Sequence, residues 1–196
     1  MAVAGLAIYA AVNSRSAPGR SAGFFQNSGQ IQTPQNSEAT TWHLYCSPKG
    51  GCTEAVVQAL DGARTSVLVQ AYSFTSRLIA DALISAWRRG VRVEAILDKS
   101  DLHGKGALTD YLAESGLPVS IDSAHAIAHN KVMVIDSETV ITGSFNFTVA
   151  AEKSNAENML VIQDKSLAEQ YTANWQSHRA HSQLYSSLSK DERLAA

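Results

Sequence analysis

His129 and Lys131 lie two residues apart at the start of a β-prone run, so in a strand both side chains would project from one face. A second β-prone segment delivers Gly143, Ser144 and Asn146 at its end. The glycine would let the backbone approach a ligand closely, while the hydroxyl and the amide offer hydrogen bonds. Because histidine can attack or transfer protons and lysine supplies positive charge, these residues together would suit a tetrahedral phosphate group.

The joint spacing of these residues carries more information than any one of them. A histidine beside a lysine is usually a solvated strand edge, and Gly-Ser is usually a turn. Here the order is His-x-Lys, four residues, Asp136, six residues and Gly-Ser-x-Asn. That order is the signature of the phospholipase D superfamily, which the chain resembles. Residues 71–75, 91–98 and 155–158 also resemble stretches of its small, single-motif Nuc-type bacterial endonucleases, and the likeness covers roughly residues 42–182.

The resemblance implies a role for each residue of the site. In this superfamily one histidine attacks phosphorus to form a phosphohistidine, and a second protonates the leaving oxygen and then activates water. His129 would fill these roles, while Lys131 and Asn146 would hold the phosphate oxygens and stabilise the charge of the transition state. Ser144 is expected to donate a hydrogen bond to the phosphate or to orient His129. Glu157 matches the acidic residue that orients the nucleophilic histidine, although a solvated carboxylate at the start of a strand is the alternative.

The full motif, including Gly-Ser-x-Asn, occurs once, whereas the chemistry needs two imidazoles. His103 is also followed by a lysine two residues later, Lys105, but Gly-Ser-x-Asn does not follow at the motif spacing, and none of the remaining histidines has a lysine at that position. The second imidazole would therefore come from another copy of the chain. We expect a homodimer whose twofold axis passes through the active site, with His129 of both protomers facing each other.

No cofactor and no metal are expected at this site. Lys131 beside His129 would repel a divalent cation, and the sequence has no His-Glu-x-x-His motif. Asp136 lies five residues after Lys131, so on a regular strand it would face the opposite side. We interpret Asp136 as structural, closing the turn near Ser137. His125, four residues before the motif, is interpreted as a surface residue near the rim of the pocket.

Three classes of function compete. The leading interpretation is a metal-independent phosphodiesterase that cleaves DNA or RNA as its nucleic-acid substrate. The alternative is a phospholipase D acting on phospholipid head groups, which is less favoured because no obvious membrane-binding apolar surface stretch is evident. The third is a non-catalytic binding protein, and the intact motif argues against this class. A formal net charge of −2 on 196 residues excludes a protein that coats DNA through overall basicity, although a local pocket can still be positive.

The composition of the N-terminal region predicts that the protein is exported. Residues 1–12 are apolar and match the hydrophobic region of a secretory signal in length, although no cation precedes them, so a periplasmic or secreted location is expected. Residues 13–41 have the composition of a flexible linker. Cys46 and Cys52 are expected to form a disulfide in such a compartment; free thiols and a zinc site with His43 are the alternatives.

The hydrophobic pattern predicts a single α/β domain over residues 42–182 and a polar tail over 183–196 that frays. Helices alternate with strands in the first part, and strands follow one another later, which predicts a layered α-β-α domain with a mixed sheet of the phospholipase D-like type. Ser166 and Glu169 have the spacing of a capping box for the last helix. The expected helices cover 53–62, 75–90, 108–115 and a segment from 166; the expected strands cover 66–72, 91–98, 119–122, a run from 131, 139–142 and 158–163.

Overall fold

The computed structural model describes residues 39–189 of the chain. The predicted signal-like segment 1–12, nearly all of the predicted linker 13–41 and the last residues of the predicted tail 183–196 lie outside this range, so these predictions stay predictions. Within residues 39–189, no helix is both long enough and apolar enough to cross a bilayer.

An eight-stranded mixed sheet forms the centre of the domain, as predicted for the α/β class. Its spatial order is β1-β7-β6-β5-β2-β3-β4-β8. Strands β2, β3 and β4 run parallel to one another, and all other neighbours pair antiparallel. The strands are β1 (Thr41–Ser47), β2 (Ser66–Ala71), β3 (Arg92–Asp98), β4 (Val119–Asp122), β5 (Lys131–Ile135), β6 (Thr139–Gly143), β7 (Glu157–Gln163) and β8 (Gln183–Leu184).

Helices cover both faces of the sheet. Alternate residues of β2 point to opposite sides: Val67 and Val69 join the core beneath the first helices, and Leu68 joins a second core with Trp175 of the last helix. The indole Nε1 of Trp175 donates a hydrogen bond of 2.9 Å to the Val69 carbonyl and so secures that helix on the sheet. The predicted three-layer architecture is therefore confirmed. The helices are α1 (Cys52–Asp61), α2 (Arg77–Arg88), α3 (Thr109–Glu114), α4 (Val149–Lys153) and α5 (Lys165–His181).

Polar residues at the ends of several strands lie together at one edge of the sheet. Because β2, β3 and β4 are parallel, their last residues Ala71, Asp98 and Asp122 meet at the same edge. Strand β5 is antiparallel to β2, so its first residue, Lys131, pairs with Ala71 at that edge. Strand β6 turns back beside β5 and brings its last residue, Gly143, there as well. Both halves of the sequence motif therefore meet at one edge, which we call the active edge.

The C-terminal boundary lies later than predicted. Instead of fraying after Ser182, the chain adds strand β8 antiparallel to β4, and Tyr185 and Leu188 are buried in the main core. The predicted capping box of α5 is also wrong. Asp164 is the N-cap, and its carboxylate accepts a hydrogen bond of 2.9 Å from the Leu167 backbone N–H, so the helix begins one residue before Ser166.

The predicted disulfide is not formed. Cys46 and Cys52 are both free thiols, the first exposed on edge strand β1 and the second buried. Cys52 is the first residue of α1 and packs into the main core. Burial and, to a lesser degree, the nearby Glu152 carboxylate together raise the pKa of the Cys52 thiol to about 11. The buried side chain therefore behaves as a small apolar residue, as one alternative of the sequence analysis expected.

A buried carboxyl group after β3 gives a prediction about stability. Asp101 is 4% exposed, and within residues 39–189 its Oδ2 has no hydrogen-bond partner. Burial raises its pKa from 3.8 to about 7; a hydrogen bond from the Phe74 backbone opposes this, and the Asp98 charge adds to it. Since the folded pKa lies above the unfolded one, the folded state binds more protons between these values. Stability should therefore fall as pH rises through that window.

Asp101→Asn should raise the free energy of unfolding at about pH 8 by roughly 1–3 kcal/mol, because it removes an unpaired buried charge. At about pH 4.5, where Asp101 is already neutral in the folded state, the gain should shrink towards zero. Denaturant unfolding at both pH values measures the difference, with Asp61→Asn on the exposed end of α1 as the control. An equal effect at both pH values would contradict the assigned protonation.

Candidate active site

His129 and Lys131 lie at the active edge, where the loop from β4 enters β5. His129 is exposed to solvent, whereas Lys131 is only 7% exposed. The Lys131 Nζ donates a hydrogen bond of 2.8 Å to the His129 carbonyl oxygen. The lysine therefore holds the backbone of the residue that carries the imidazole.

Tyr72, the residue after β2, completes the wall behind this pair. Its ring centroid lies 4.6 Å from that of His129, at an interplanar angle of 59°. The Lys131 Nζ lies 5.0 Å from the same ring centroid, within the range of a cation–π interaction. The Tyr72 backbone N–H donates to the Asn130 carbonyl at 2.9 Å, which joins the two strand ends. Tyr72 was part of the resemblance but received no role from the sequence, because its contact depends on the pairing of β2 with β5.

The environment of Lys131 lowers the pKa of its ammonium group. The main cause is burial, which disfavours the charged form, and the negative charge of Glu157 opposes this shift. A desolvated ammonium interacts strongly with an anion, because little water screens the pair. The side chain therefore suits a phosphate oxygen better than a freely solvated lysine would.

The loop after β6 faces the start of β7 through a compact set of hydrogen bonds. The Ser144 Oγ lies 2.6 Å from the Glu157 Oε2 and 2.8 Å from the Asn158 Oδ1. It also accepts the Asn158 backbone N–H at 3.1 Å, and the Ser144 N–H donates to the Asn158 carbonyl at 2.9 Å. The Glu157 Oε1 accepts a bond of 3.0 Å from the Asn155 side chain. The hydroxyl is thus held in one position at the active edge.

Within one chain Glu157 does not contact His129, so its predicted role in orienting the nucleophilic histidine stays a prediction. Among residues 39–189, the Glu157 carboxylate accepts its hydrogen bonds from Ser144 and Asn155, and the His129 imidazole has no hydrogen-bond partner. The physical reason is the register of β6 with β7, which places Ser144 directly opposite the first residues of β7. Within this chain, Glu157 orients Ser144 and, through its charge, moderates the pKa of Lys131.

Position 143 requires a glycine for structural reasons. Its φ of +152° is rare for other residues, and a Cβ at this position would lie 2.2 Å from the Asn158 carbonyl oxygen. Beyond it, Phe145 and Phe147 are buried and anchor the loop, so that Asn146 lies between two fixed points. Within residues 39–189, the buried Oδ1 of Asn146 has no hydrogen-bond partner. Only the Nδ2 hydrogens of this amide, and not its acceptor oxygen, could donate to a phosphate at the active edge.

Asp136 lies at the other end of β5 and does not reach this site. It forms a tight turn with Ser137, and both residues have positive φ (55° and 56°), as type I′ turns require. Its carboxylate accepts hydrogen bonds from the backbone N–H groups of Arg64, Thr65 and Ser66. Burial alone would raise its pKa, but these hydrogen bonds outweigh burial and lower it. The motif aspartate therefore ties the β5–β6 turn to the loop before β2.

A groove at the other end of β5 does not coincide with the motif. It measures about 720 Å³ and lies between α1 and the β5–β6 turn, with Tyr45, Gln58 and Asp136 in its lining. None of His129, Lys131, Ser144 and Asn146 lines it. We assign function to the active edge, because the imidazole, the ammonium group and the anchored amide lie there, whereas the groove is formed at the opposite end of β5.

Comparison with known proteins identifies the family of the chain. Residues 56–179 match the family model described as the phospholipase D-like domain of cardiolipin synthase. The chain belongs to the phospholipase D superfamily. That membership makes it a hydrolase acting on phosphodiester bonds.

Three relatives of this superfamily illustrate its range. A protein of Rickettsia typhi named phospholipase D is 48% identical over 139 residues, which are 71% of this chain and 68% of the relative. The mitochondrial cardiolipin hydrolase of Xenopus laevis is 36% identical over 116 residues, 59% of this chain and 55% of the relative. The crystal structure of Nuc from Salmonella typhimurium, a phospholipase D family member, superposes with a TM-score of 0.72 at 39% identity, covering 75% of this chain and 99% of Nuc.

Proposed function

We propose that this phosphodiesterase is an endonuclease that hydrolyses DNA or RNA through a phosphohistidine intermediate, in a site shared by two copies of the chain. The observation that carries the proposal is the pairing of an exposed imidazole, His129, with the buried ammonium group of Lys131 at one open edge of the sheet. The full motif occurs once per chain, so each chain supplies one such nucleophile.

In the first step, a ring nitrogen of His129 attacks phosphorus, and the bond to the leaving oxygen breaks. The imidazolium of His129 of the partner subunit gives its proton to that oxygen. In the second step, the now neutral partner imidazole takes a proton from water, the resulting hydroxide attacks phosphorus, and the phosphorus–nitrogen bond breaks. Both histidines return to their starting protonation, so the cycle balances without a metal or a redox partner.

Lys131 and Asn146 assist both steps from fixed positions. The ammonium group of Lys131 neutralises the extra negative charge that develops on the equatorial phosphate oxygens. The Asn146 amide lies between two buried phenylalanines and can present its hydrogens to the same oxygens. Ser144, held by Glu157 and Asn158, adds a hydroxyl of defined orientation. Little rearrangement is needed when the substrate binds, which is the condition for electrostatic catalysis.

Two exposed apolar side chains border the active edge and support a partner chain there. Ile127, two residues before His129, is 55% exposed, and Val149, three residues after Asn146, is 49% exposed. A twofold axis near His129 would bring both residues of each copy towards the other copy and bury them. Since burial of apolar surface favours association, these side chains would contribute to the dimer.

The choice of nucleic acid rests on the similarity to Nuc, which this chain covers almost completely. Phospholipid is the second candidate, because the relatives from Rickettsia and Xenopus carry the names of lipid-cleaving enzymes. Incubating the purified chain with supercoiled plasmid, single-stranded RNA, and vesicles of phosphatidylcholine with cardiolipin would decide between them. We expect nicked plasmid or shortened RNA and unchanged lipid. Release of head groups or phosphatidic acid without nucleic-acid cleavage would favour the second candidate.

Cleavage should persist in excess EDTA at a temperature well below unfolding. The reason is electrostatic: the ammonium group of Lys131 occupies the position where a metal would have to approach the phosphate. Rates measured with EDTA, and then with added magnesium or zinc, test the expectation. If EDTA stops cleavage in fully folded protein and a metal restores it, the two-histidine mechanism is wrong.

A further inference from the structure

Four metal-ligating side chains converge at the active edge, outside the phosphate site. Asp122 is the last residue of β4, and His125 lies three residues further in the loop 123–130. His178 and His181 occupy the last turn of α5, also three residues apart, so they share one face of that helix. We call this group the histidine cluster. Residues from two distant parts of the chain form it.

The distances within the histidine cluster are short. The Asp122 Oδ2 lies 2.7 Å from the His178 Nδ1, 3.2 Å from the His125 Nδ1 and 3.3 Å from the His181 Nε2. One ligand atom from each of the four residues can be chosen so that all lie within 4.8 Å of one another. Four ligands at about 2.0–2.2 Å around a tetrahedral zinc ion lie roughly 3.3 Å apart, so small side-chain rotations would close the set around an ion.

The charges of the cluster favour a cation. Asp122 is fully buried. Its Oδ2 lies within hydrogen-bond distance of all three rings, so a carboxylate stands at the centre of the cluster. The three imidazole rings pack with centroids 4.8, 5.1 and 5.3 Å apart. The cluster therefore offers three imidazoles and one carboxylate as ligands around one point.

A second layer of contacts holds the cluster in place. The other carboxylate oxygen of Asp122, Oδ1, accepts the Ala124 backbone N–H at 3.1 Å, which orients Oδ2 towards the rings. The loop is held further by Lys99, whose Nζ donates to the His125 carbonyl at 3.0 Å, and by the Asp98 Oδ2, which accepts the Ala128 N–H at 2.7 Å. Such contacts around the ligands are typical of metal sites, because they keep the ligands aimed at one point.

We propose that Asp122, His125, His178 and His181 bind one zinc ion, which ties α5 to the loop that leads into His129. Three imidazoles and one carboxylate match the ligands that zinc accepts, whereas magnesium and calcium prefer oxygen ligands. Four protein ligands leave no coordination position for a substrate, so the ion has a structural role. The site is separate from the phosphate-binding residues, and the hydrolytic mechanism proposed above neither requires it nor changes with it.

Metal binding can be measured directly on the full chain, prepared without a polyhistidine tag and freed of metal by a chelator. Titration with zinc, followed by calorimetry and by elemental analysis of the desalted protein, should give one equivalent per chain. Cobalt should give the intense visible bands of a four-coordinate site. His178→Gln and His125→Gln should each weaken zinc binding by about 100-fold or more, because each removes a ligand. His43→Gln and His103→Gln, exposed residues outside the cluster, are matched controls and should bind like the wild type.

The thermal midpoint provides a second readout that does not depend on turnover. Zinc should raise it in the wild type and in both controls, since a ligand that binds only the folded state stabilises that state, and it should leave His178→Gln unchanged. If His178→Gln does not fold by circular dichroism, His125→Gln in the exposed loop replaces it. Less than one tenth of an equivalent of zinc in the wild type, or equal binding by the cluster variants and the controls, would overturn the proposal. In that case the cluster would be a network of hydrogen bonds that binds no metal ion.

Discussion

Replacing His129 with alanine is expected to abolish phosphodiester cleavage while the fold persists. In the proposed mechanism, the imidazole forms the bond to phosphorus in one protomer and transfers protons in the other, so its loss would remove both roles at once. Loss of a nucleophile in an enzyme that works by covalent catalysis lowers the rate by a factor on the order of 10⁴ or more. The exposed side chain makes no hydrogen bond to other residues of the described chain, which is why little stability should be lost. Cleavage rates and circular dichroism, measured on one preparation, check both parts.

The matched control is His103→Ala, an exposed histidine in the loop after β3. It should retain full cleavage activity, which separates the loss of the nucleophile from a general effect of removing an imidazole. Near-wild-type rates in folded His129→Ala protein would overturn the assignment of the active site. If His129→Ala loses both its cleavage activity and its circular dichroism signal, the milder variant His129→Gln would be measured in its place.

Lys131→Met is expected to produce the second largest effect. Methionine keeps most of the volume of the buried lysine stem but lacks the charge that stabilises the phosphate oxygens in the transition state. Loss of one such group costs about 3–4 kcal/mol, which corresponds to a rate roughly 10²–10³-fold lower. Lys131→Arg should restore little activity, because a planar guanidinium does not fit a site formed around a point charge. Single-turnover kinetics of both variants measure the effect on the chemical step.

Two further measurements test whether the loss of rate comes specifically from the charge of Lys131. Lys99→Met, at a lysine next to the same edge that contacts the His125 carbonyl, should lower the rate far less. The free energy of unfolding of each variant shows whether the lost hydrogen bond from Lys131 to the His129 carbonyl disturbs the fold. Full activity of Lys131→Met would show that the ammonium group does not act on the phosphate.

The sequence predicted the arrangement of elements well where hydrophobic periodicity was strong. Strands β2 and β3 and helix α2 were predicted within about two residues, because long apolar runs of defined period are informative. Strand β1, helix α4 and strand β8 were not predicted. The first is an edge strand with Trp42 and Leu44 exposed, and the other two are only five and two residues long, too short to show a period.

The spacing of the motif also predicted that His129 and Lys131 would be neighbours, but it could not predict their environments. Whether a side chain is buried depends on which strands flank it, and β5 lies between β2 and β6. For the same reason, the partner of Glu157 follows from the β6–β7 register and not from local sequence. The histidine cluster brings Asp122 next to His178, 56 residues later, and pairs at such separation leave no local pattern.

The shared site is tested most directly by heterodimers of defined composition. Wild-type and His129→Ala chains carrying two different affinity tags would be co-expressed, and two successive affinity steps would isolate dimers with one chain of each kind. Doubly tagged wild-type dimers, purified in the same way, serve as the control. Sedimentation should give twice the chain mass of 21.0 kDa for both preparations.

The two possible arrangements of the site predict different activities for these heterodimers. If each reaction uses His129 of both protomers, a heterodimer has only one of the two imidazoles and should be nearly as inactive as the His129→Ala homodimer. If each chain contains a complete site, the heterodimer should retain about half of the wild-type activity. We expect almost no activity. Half activity, or a wild-type monomer with full specific activity at the assay concentration, would contradict the shared two-histidine site.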